Sequence, residues 1–209
     1  MTHKIVVASG NKHKLEEISA ALNVEDFEFI SIYDVVPDWP SPEEDGDTFE
    51  ANAAIKAMAA FDASGMPALA DDSGLVVDVL DGAPGVYSAR YAGEDATDEQ
   101  NNEKLLENLA DVSLAESTAR FVSCLVLVGL DQYFEQAPAY LAVEGTVEGI
   151  MAKTGRGEHG FGYDPLFLPY ETPGKTMGEL TMDEKNEISH RGNALKKLVE
   201  TLKKEKVIS

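Results

Sequence analysis

Two adjacent carboxylates, Asp71 and Asp72, interrupt an apolar run in ALADDSGLVVDVL, residues 68–80. Like charges side by side in a segment typical of a buried strand cost free energy, so something must compensate them. The candidates are a metal ion, a proton-transfer role, or solvent at the end of a strand. Because neighbouring side chains of a strand point to opposite faces, we expect only one of the two aspartates to enter a given site.

The charge of the whole chain narrows the possible partners. Its 209 residues include 38 acidic and 17 basic ones, for a formal net charge of −21. Such a charge repels polyanions, so binding to a nucleic-acid polymer or to an acidic membrane is disfavoured. A small anionic substrate remains possible if cations cluster locally or a divalent metal bridges the charges.

Length, cysteine content and hydropathy favour one domain, residues 1–209, in the cytoplasm. The chain is long enough to bury a substantial core and is short enough for a single domain. Its single cysteine, Cys124, lies in a predicted buried strand, which excludes a disulfide framework and a cysteine-based zinc site. The N-terminus lacks the pattern of a signal peptide, and no apolar stretch approaches the ~20 residues that a membrane span needs.

The succession of apolar patterns predicts an α/β domain with a mixed sheet. Strands are predicted at residues 4–9, 27–32, 67–71, 74–80, 119–130 and 139–149, and helices at 10–23, 48–64, 97–109 and from 181 onwards. In the last helical region, Thr181 and Glu184 form a capping box, and Gly192 is expected to break the helix in two. Residues 34–47, which hold three prolines and six acids, are expected to form a loop.

Three groups of small polar and basic residues could bind an anion. They are Ser9, Gly10, Asn11 and Lys14 in SGNKHK, Asn52 and Lys56 one helical turn apart, and Lys185, His190 and Arg191 in EKNEISHR. A strand-to-helix turn such as the first offers backbone N–H groups to an anion. Each group alone is typical of a solvated helix, but their recurrence in an acidic chain favours an anion pocket.

A glycine-rich segment, TGRGEHGFGYDP, contains a literal G-x-G-x-x-G at Gly155, Gly157 and Gly160. Pro165 and the glycines argue against the helix that a dinucleotide site requires, so we do not assign one. The segment is either a flexible hairpin loop or a pocket wall in which Phe161 stacks on a flat ring.

A divalent cation would need carboxylates from more than one segment. Mg²⁺ is usually held by one or two carboxylates together with substrate phosphates. The acidic loop offers Glu43, Glu44, Asp45 and Asp47 as partners for one aspartate of the adjacent pair, and sequence spacing does not choose among them.

Taken together, these segments resemble the inosine triphosphate pyrophosphatase family, which hydrolyses non-canonical purine nucleoside triphosphates. The shared motifs occur in family order between residue 5 and about residue 198: SGNKHK, EEDGDTFEANAAIKA, ALADDSGLVVDVLDGAPGVYSARYAG, GFGYDP and EKNEISHR. The resemblance implies a single elongated α/β domain with a long central mixed β-sheet flanked by helices and an active-site cleft between two lobes. It also implies a homodimer and Mg²⁺-dependent release of pyrophosphate.

The resemblance further implies roles for individual residues. Asp72 would be the general base and, with Glu44, would bind the metal, while Asp71 would face elsewhere, to solvent or backbone donors. Many relatives carry Glu where this chain has Ala51, and Glu50 stands one residue earlier. The nucleoside triphosphate would be bound by Ser9, Gly10, Asn11, Lys14, Lys56, Ser73, Phe161, Gly162, Tyr163, Asp164, Lys185, His190 and Arg191.

Two other functions compete with this one. The first is a pyrophosphatase that acts on pyrimidine or modified nucleotides, and the SHR and GFGYDP segments argue against it. The second is a regulator that binds nucleotides without cleaving them. Glu44 and Asp72 argue against the regulator, because binding alone gains little from a base placed for proton transfer.

Overall fold

Six strands form one sheet in the computed structural model, which describes residues 2–10, 14–15, 18–19, 22 and 27–208. They are β1 His3–Val7, β2 Phe27–Ser31, β3 Ala68–Val77, β4 Thr118–Val128, β5 Tyr140–Met151 and β6 Phe167–Pro169. The spatial order is β2-β1-β3-β4-β5-β6. Strand β1 runs parallel to β2 and β3, whereas β5 and β6 are antiparallel. The sheet is therefore mixed, as the sequence predicts.

Five α-helices have both ends within the described residues. They are α1 Ile32–Val35, α2 Phe49–Ser64, α3 Asp98–Asn108, α4 Met182–Ile188 and α5 His190–Lys204. Short 3-10 turns occur at Asp78–Leu80, Gly85–Arg90, Leu114–Glu116, Leu130–Gln132, Asp164–Leu166 and Met177–Glu179. The helix predicted at 10–23 lies largely outside the described residues, although residues 14, 15, 18 and 19 are helical.

Local capping signals account for the bounds of α2. The Thr48 hydroxyl accepts a hydrogen bond from the Ala51 N–H at 3.1 Å, which satisfies a donor of the first turn. The helix ends at Gly65, which has a left-handed φ of 67° that a residue without a side chain adopts readily. The predicted helix over 48–64 is therefore confirmed.

The C-terminal helical region is broken one turn earlier than predicted. Thr181 and Glu184 form the expected capping box of α4. The break, however, falls at Ser189, whose backbone is extended, and not at Gly192, which lies inside α5. A glycine inside a helix costs only about 1 kcal/mol relative to alanine. Burial of Ala194, Leu195 and other apolar residues of α5 outweighs that cost.

Strand β3 is continuous through the acidic pair. The sequence suggests two strands, 67–71 and 74–80, joined by the two aspartates, and this interpretation is wrong because Ala68–Val77 forms one strand. Both carboxylates have cationic partners, described below, so the strand does not need to open to solvent at this point.

The chain divides into two compact units, which are described separately. Unit 1 comprises Met1–Asp72, Ser123–Gly145 and Arg191–Ser209, and unit 2 comprises Ser73–Val122 and Thr146–His190. In unit 1, one apolar cluster packs α5 against β1 and β3, and another packs the alanine face of α2 against β3 and β4. Cys124 belongs to the second of these and is a free, buried thiol, as predicted. The core of unit 2 is built around Leu75, Phe121, Met151, Tyr163 and Phe167.

Among the described residues, none of the helices combines the length and the hydropathy that a membrane span needs.

Candidate active site

Glu44, Lys56 and Asp72 form an ion-paired group in unit 1, here called the carboxylate cluster. Lys56 Nζ lies 2.8 Å from Glu44 Oε2 and 3.1 Å from Asp72 Oδ1. The other oxygen, Asp72 Oδ2, is buried and accepts no hydrogen bond from any residue that the structure describes. Buried polar atoms are nearly always bonded, so this oxygen is suited to a ligand or a proton that arrives with the substrate.

Helix α2 positions the carboxylate cluster. Asn52 and Lys56 are one turn apart on this helix, and both bind residues of the acidic loop. Asn52 is buried, and its Oδ1 accepts a hydrogen bond from the Gly46 N–H at 2.8 Å. A Cβ atom at Gly46 would come within 2.7 Å of that same Oδ1, so only glycine allows this close approach. Glu44 is thereby held within reach of Lys56.

The cluster shifts the pKa values of two of its members. Burial raises the pKa of Asp72; Lys56 opposes the shift and the neighbouring Glu44 carboxylate adds to it. Burial alone would lower the pKa of Lys56, but Asp72 and Glu44 outweigh burial and raise it. Lys56 is therefore charged at neutral pH, and Asp72 has a higher proton affinity than an exposed aspartate.

Asp71 organises a second group in unit 1, here called the Asp71 cluster. Its Oδ1 accepts a hydrogen bond from Ser123 Oγ at 2.7 Å. Its Oδ2 lies 2.9 Å from Lys14 Nζ and accepts bonds from Arg191 Nη2 at 3.0 Å and Nε at 3.2 Å. Asp71 is only 5% exposed and Arg191 only 2%. The expectation that Asp71 faces solvent or backbone donors is therefore wrong, because two side-chain cations and a hydroxyl compensate its charge.

The Asp71 cluster carries a net positive charge. Burial would raise the pKa of Asp71, but Arg191 and Lys14 outweigh it and hold that pKa well below its usual range. The carboxylate is thus ionised, and one negative charge stands against two positive ones. In a chain with a net charge of −21, this is the local concentration of cations that binding of a small anion requires.

Residues 160–164 of unit 2 form a turn that exposes an aromatic ring, here called the aromatic loop. Asp164 Oδ2 accepts hydrogen bonds from the Phe161 N–H at 2.9 Å and from Lys185 Nζ at 2.6 Å. Lys185 Nζ also lies 4.5 Å from the centroid of the Phe161 ring, which is 44% exposed. Tyr163 is buried and donates its hydroxyl to the Ser88 carbonyl. An exposed ring beside a fixed cation can stack on a planar ligand.

The remaining predicted site residues lie outside these three groups. Ser9 and Gly10 follow β1, and the Ser9 carbonyl accepts a hydrogen bond from Ser31 Oγ at 3.5 Å. Asn11 lies outside the described residues. Ser73 is a partly buried residue of β3, next in the chain to Asp72. His190 is buried and its ring stacks on Phe121, with centroids 5.0 Å apart.

Three further residues support these groups and were not predicted. Ser123, a hydroxyl in the apolar run FVSCLVLV, could have been found as a polar residue in a buried strand. Asp98 and Asn102 of α3 bind the aromatic loop through Gly162, at 2.7 and 2.9 Å. Their spacing of four residues indicates that they share one face of the helix, but it does not reveal that Gly162 is their partner.

The residues present fit a hard cation, although they do not form a complete cage. Within the described part of the chain, no group of three or more His, Cys, Asp or Glu residues could hold a metal ion. Glu44 and Asp72 nevertheless offer two carboxylates, and one oxygen of Asp72 has no bond from the described residues. One or two carboxylates completed by substrate phosphates are the usual protein ligands of Mg²⁺.

Comparison with known proteins decides the family. The model of the Ham1 family matches residues 5–201. The chain belongs to the Ham1 family. Ham1 relatives named dITP/XTP pyrophosphatase include that of Geobacter sulfurreducens, 50% identical over 92% of each protein. The protein of that name from Haemophilus influenzae is 47% identical over 93% of this chain and 96% of its own length. The family resemblance drawn from the motifs is thereby confirmed.

Solved Ham1 structures share the fold. The Ham1 protein of Staphylococcus aureus matches with a TM-score of 0.85 and 41% identity, over 97% of this chain and 99% of that one. A HAM1 protein from Coxiella burnetii matches with a TM-score of 0.85 and 42% identity, over 97% of this chain and the whole of that one. The predicted α/β class with a mixed sheet is the Ham1 fold.

Proposed function

We propose that this Ham1 protein hydrolyses the non-canonical purine nucleoside triphosphates dITP, ITP and XTP to the nucleoside monophosphate and pyrophosphate. One observation carries the proposal: relatives named dITP/XTP pyrophosphatase are 46–50% identical over more than nine-tenths of the chain. The carboxylate cluster supports it chemically, because it combines a fixed cation, Lys56, with a base, Asp72, of which one buried oxygen is bound by no described residue. A single pyrophosphatase domain over residues 1–209 is part of the proposal.

The chain's own residues supply base, charge and orientation. Asp72 accepts a proton from the water that attacks the α-phosphorus in line. Lys56 holds Asp72 through Oδ1 and, being charged, stabilises the departing pyrophosphate. Ser9, Gly10, Asn11 and Lys14 contribute to phosphate binding, Ser73 contacts the nucleotide, and base and sugar are bound by Phe161, Gly162, Tyr163, Asp164, Lys185, His190 and Arg191.

The proposal includes Mg²⁺, held by Glu44 and Asp72. When bound, the ion would neutralise charge on the triphosphate. Both carboxylates are already paired with Lys56, so a metal ion would bind next to a side chain that is itself positively charged. The substrate phosphates supply the balancing negative charge.

Pyrophosphate and a monophosphate in equal amounts are the expected products from dITP or ITP. This follows if the terminal phosphates are bound as a unit and water attacks the α-phosphorus. Separate assays of pyrophosphate and orthophosphate decide the matter. Initial release of orthophosphate with a nucleoside diphosphate would mean attack at the γ-phosphorus, and binding without any product would favour the regulator.

A nucleotide panel in the same assay separates the competing enzymes. A hydrogen-bond donor of the protein that is placed for the 6-oxo group of hypoxanthine is left unpaired by the 6-amino group of adenine. The kcat/KM for ITP should therefore exceed that for ATP by about 5- to 150-fold. Faster cleavage of pyrimidine nucleotides would support the pyrimidine enzyme instead.

Glu44→Gln is expected to raise the Mg²⁺ concentration for half-maximal activity by about 10-fold or more, because an amide is a weaker ligand than a carboxylate. A magnesium titration at saturating ITP measures the effect, and excess Mg²⁺ should partly restore kcat. Glu43→Gln is the matched control, since Glu43 is the exposed neighbour in the same loop. A defect that Mg²⁺ does not relieve would remove Glu44 from the metal site.

The proposal also includes a homodimer that acts in the cytoplasm on a small-molecule nucleotide. The family resemblance supports the dimer, and the free buried Cys124 suits a reducing compartment. The net charge of −21 is unfavourable for nucleic-acid polymers and acidic membranes. Sedimentation velocity should show a species of twice the 22.6 kDa chain. A species of the chain mass at micromolar concentration would contradict the dimer.

A further inference from the structure

We propose that Asp98 and Asn102 are positioning residues for the nucleobase, because they hold the aromatic loop in the place from which Phe161 can stack on a base. Asp98 Oδ2 accepts the Gly162 N–H at 2.7 Å, and Asn102 Nδ2 donates to the Gly162 carbonyl at 2.9 Å. Both polar backbone groups of the residue after Phe161 are therefore bound by one face of α3. The inference rests on the proposed function, in which Phe161 contacts the base.

The aromatic loop depends on such bonds more than on burial. Phe161 is 44% exposed, so packing alone does not hold its ring. Gly162 has a left-handed φ of 59°, and at Gly160 a Cβ atom would come within 2.2 Å of Asp164 Oδ2. The backbone is thus bound on one side of Phe161 by Asp164 and on the other side by α3.

The chemistry of the two residues on α3 points to position and not only to stability. Thr97 already caps α3 with its own side chain, so the Asp98 carboxylate serves the distant loop. Asn102 Oδ1 is buried and accepts no bond from the part of the chain that the structure describes. A buried acceptor without a partner costs free energy, which a residue retained for stability alone would avoid. The hydrogen bond from Asn102 Nδ2 to the loop is the favourable contact that offsets this cost.

Helix α3 offers a matched control for the experiment. Asn108 lies on the same helix and also donates through Nδ2, but to the Tyr91 hydroxyl at 2.6 Å, away from the aromatic loop. Asn102→Ala and Asn108→Ala therefore remove the same group and one hydrogen bond each. At residue 98, Asp98→Ala removes the acceptor for Gly162, and Asp98→Asn keeps an oxygen that can replace it.

We expect Asn102→Ala and Asp98→Ala to raise KM for ITP by about 5-fold or more while kcat stays within about 2-fold, because base stacking weakens and the phosphate chemistry is untouched. Asn108→Ala should match the wild type, and Asp98→Asn should keep the KM for ITP close to the wild-type value. In a Phe161→Ala background, Asn102→Ala should change KM no further, since its effect passes through that ring. Hydrogen exchange of the 160–164 peptide should quicken in Asn102→Ala but not in Asn108→Ala.

Equal kinetics for Asn102→Ala and Asn108→Ala would overturn the inference, as would a loss confined to kcat or an undiminished effect without Phe161. Melting temperatures of all variants identify any that fail to fold. If Asn102→Ala fails to fold, the comparison of Asp98→Ala with Asp98→Asn tests the inference instead. If the wild type does not cleave ITP, the proposed function is wrong. The exchange measurement does not depend on activity, so unchanged exchange of the loop in Asn102→Ala would still show that α3 does not hold it.

Discussion

Asp72→Asn is expected to lower kcat for ITP by about 100-fold or more, the low end of what a general base contributes. The substitution is nearly isosteric, and the amide oxygen can still accept the Lys56 hydrogen bond that Asp72 Oδ1 accepts at 3.1 Å. The fold should therefore remain, while the oxygen that accepts the proton loses its basicity. Single-turnover kinetics at saturating ITP and Mg²⁺ measure the effect.

The matched control for this variant is Asp78→Asn, at an aspartate that is also paired with a cation. Asp78 binds Arg120 and Thr118 at the surface and has no place in the proposed chemistry. Its kcat should equal that of the wild type. If Asp72→Asn keeps kcat within a few-fold of the wild type, Asp72 is not the base, and the mechanism above fails at its central step.

Asp71→Asn is expected to reduce the free energy of unfolding by about 3–5 kcal/mol, the usual cost of removing one partner from a buried ion pair. Lys14 and Arg191 would remain close together around a neutral amide, and Arg191 is 2% exposed. For a chain of this length, the melting temperature should fall by roughly 6 to 20 °C. Urea unfolding followed by circular dichroism measures the loss.

Asp78→Asn again provides the comparison. Both aspartates bind one arginine and one hydroxyl, but the Asp78 side chain is 46% exposed. An exposed pair contributes about 0–1 kcal/mol, so this variant should change stability by no more than that. Equal losses of stability at both positions would show that the buried location of the Asp71 cluster does not increase its contribution to the free energy of unfolding.

The same pair of proteins should show a defined pH dependence. Because the folded-state pKa of Asp71 lies below its value in the unfolded chain, about 3.9, the carboxylate stabilises the fold fully above that pH. Its contribution is lost as the pH falls further, towards the folded-state pKa. The stability difference between wild type and Asp71→Asn should therefore narrow below about pH 4 and remain constant above about pH 5.

Local signals predicted much of the fold. Thr48 and the Thr181–Glu184 capping box lie within a few residues of the helix starts that they determine, so the sequence alone reveals them. The break at Ser189 was missed because a glycine is the stronger local signal, while the packing that keeps Gly192 helical comes from residues elsewhere. Local propensity was overridden there by tertiary burial.

The partners of the acidic pair could not be predicted from spacing. Ser123 is 52 residues from Asp71, and Arg191 is 120 residues away. No periodicity connects residues at such distances. Among the acids of the loop, Glu44 was singled out only by family resemblance, and the structure places it on Lys56 through contacts 12 residues apart. Motif similarity therefore carried information that physical pattern analysis of one sequence lacks.

The alternation of β3 imposes a constraint on length. Asp71 and Asp72 are consecutive, yet one belongs to a net positive group and the other to a net negative one. Deleting a single codon upstream in the strand would exchange the two faces and place each carboxylate among the wrong partners. Many point substitutions in this strand leave the partition of charge intact, whereas an insertion or deletion of one residue between Ala68 and Asp71 reverses it. In the evolution or engineering of this segment, residue count is therefore a stricter requirement than residue identity.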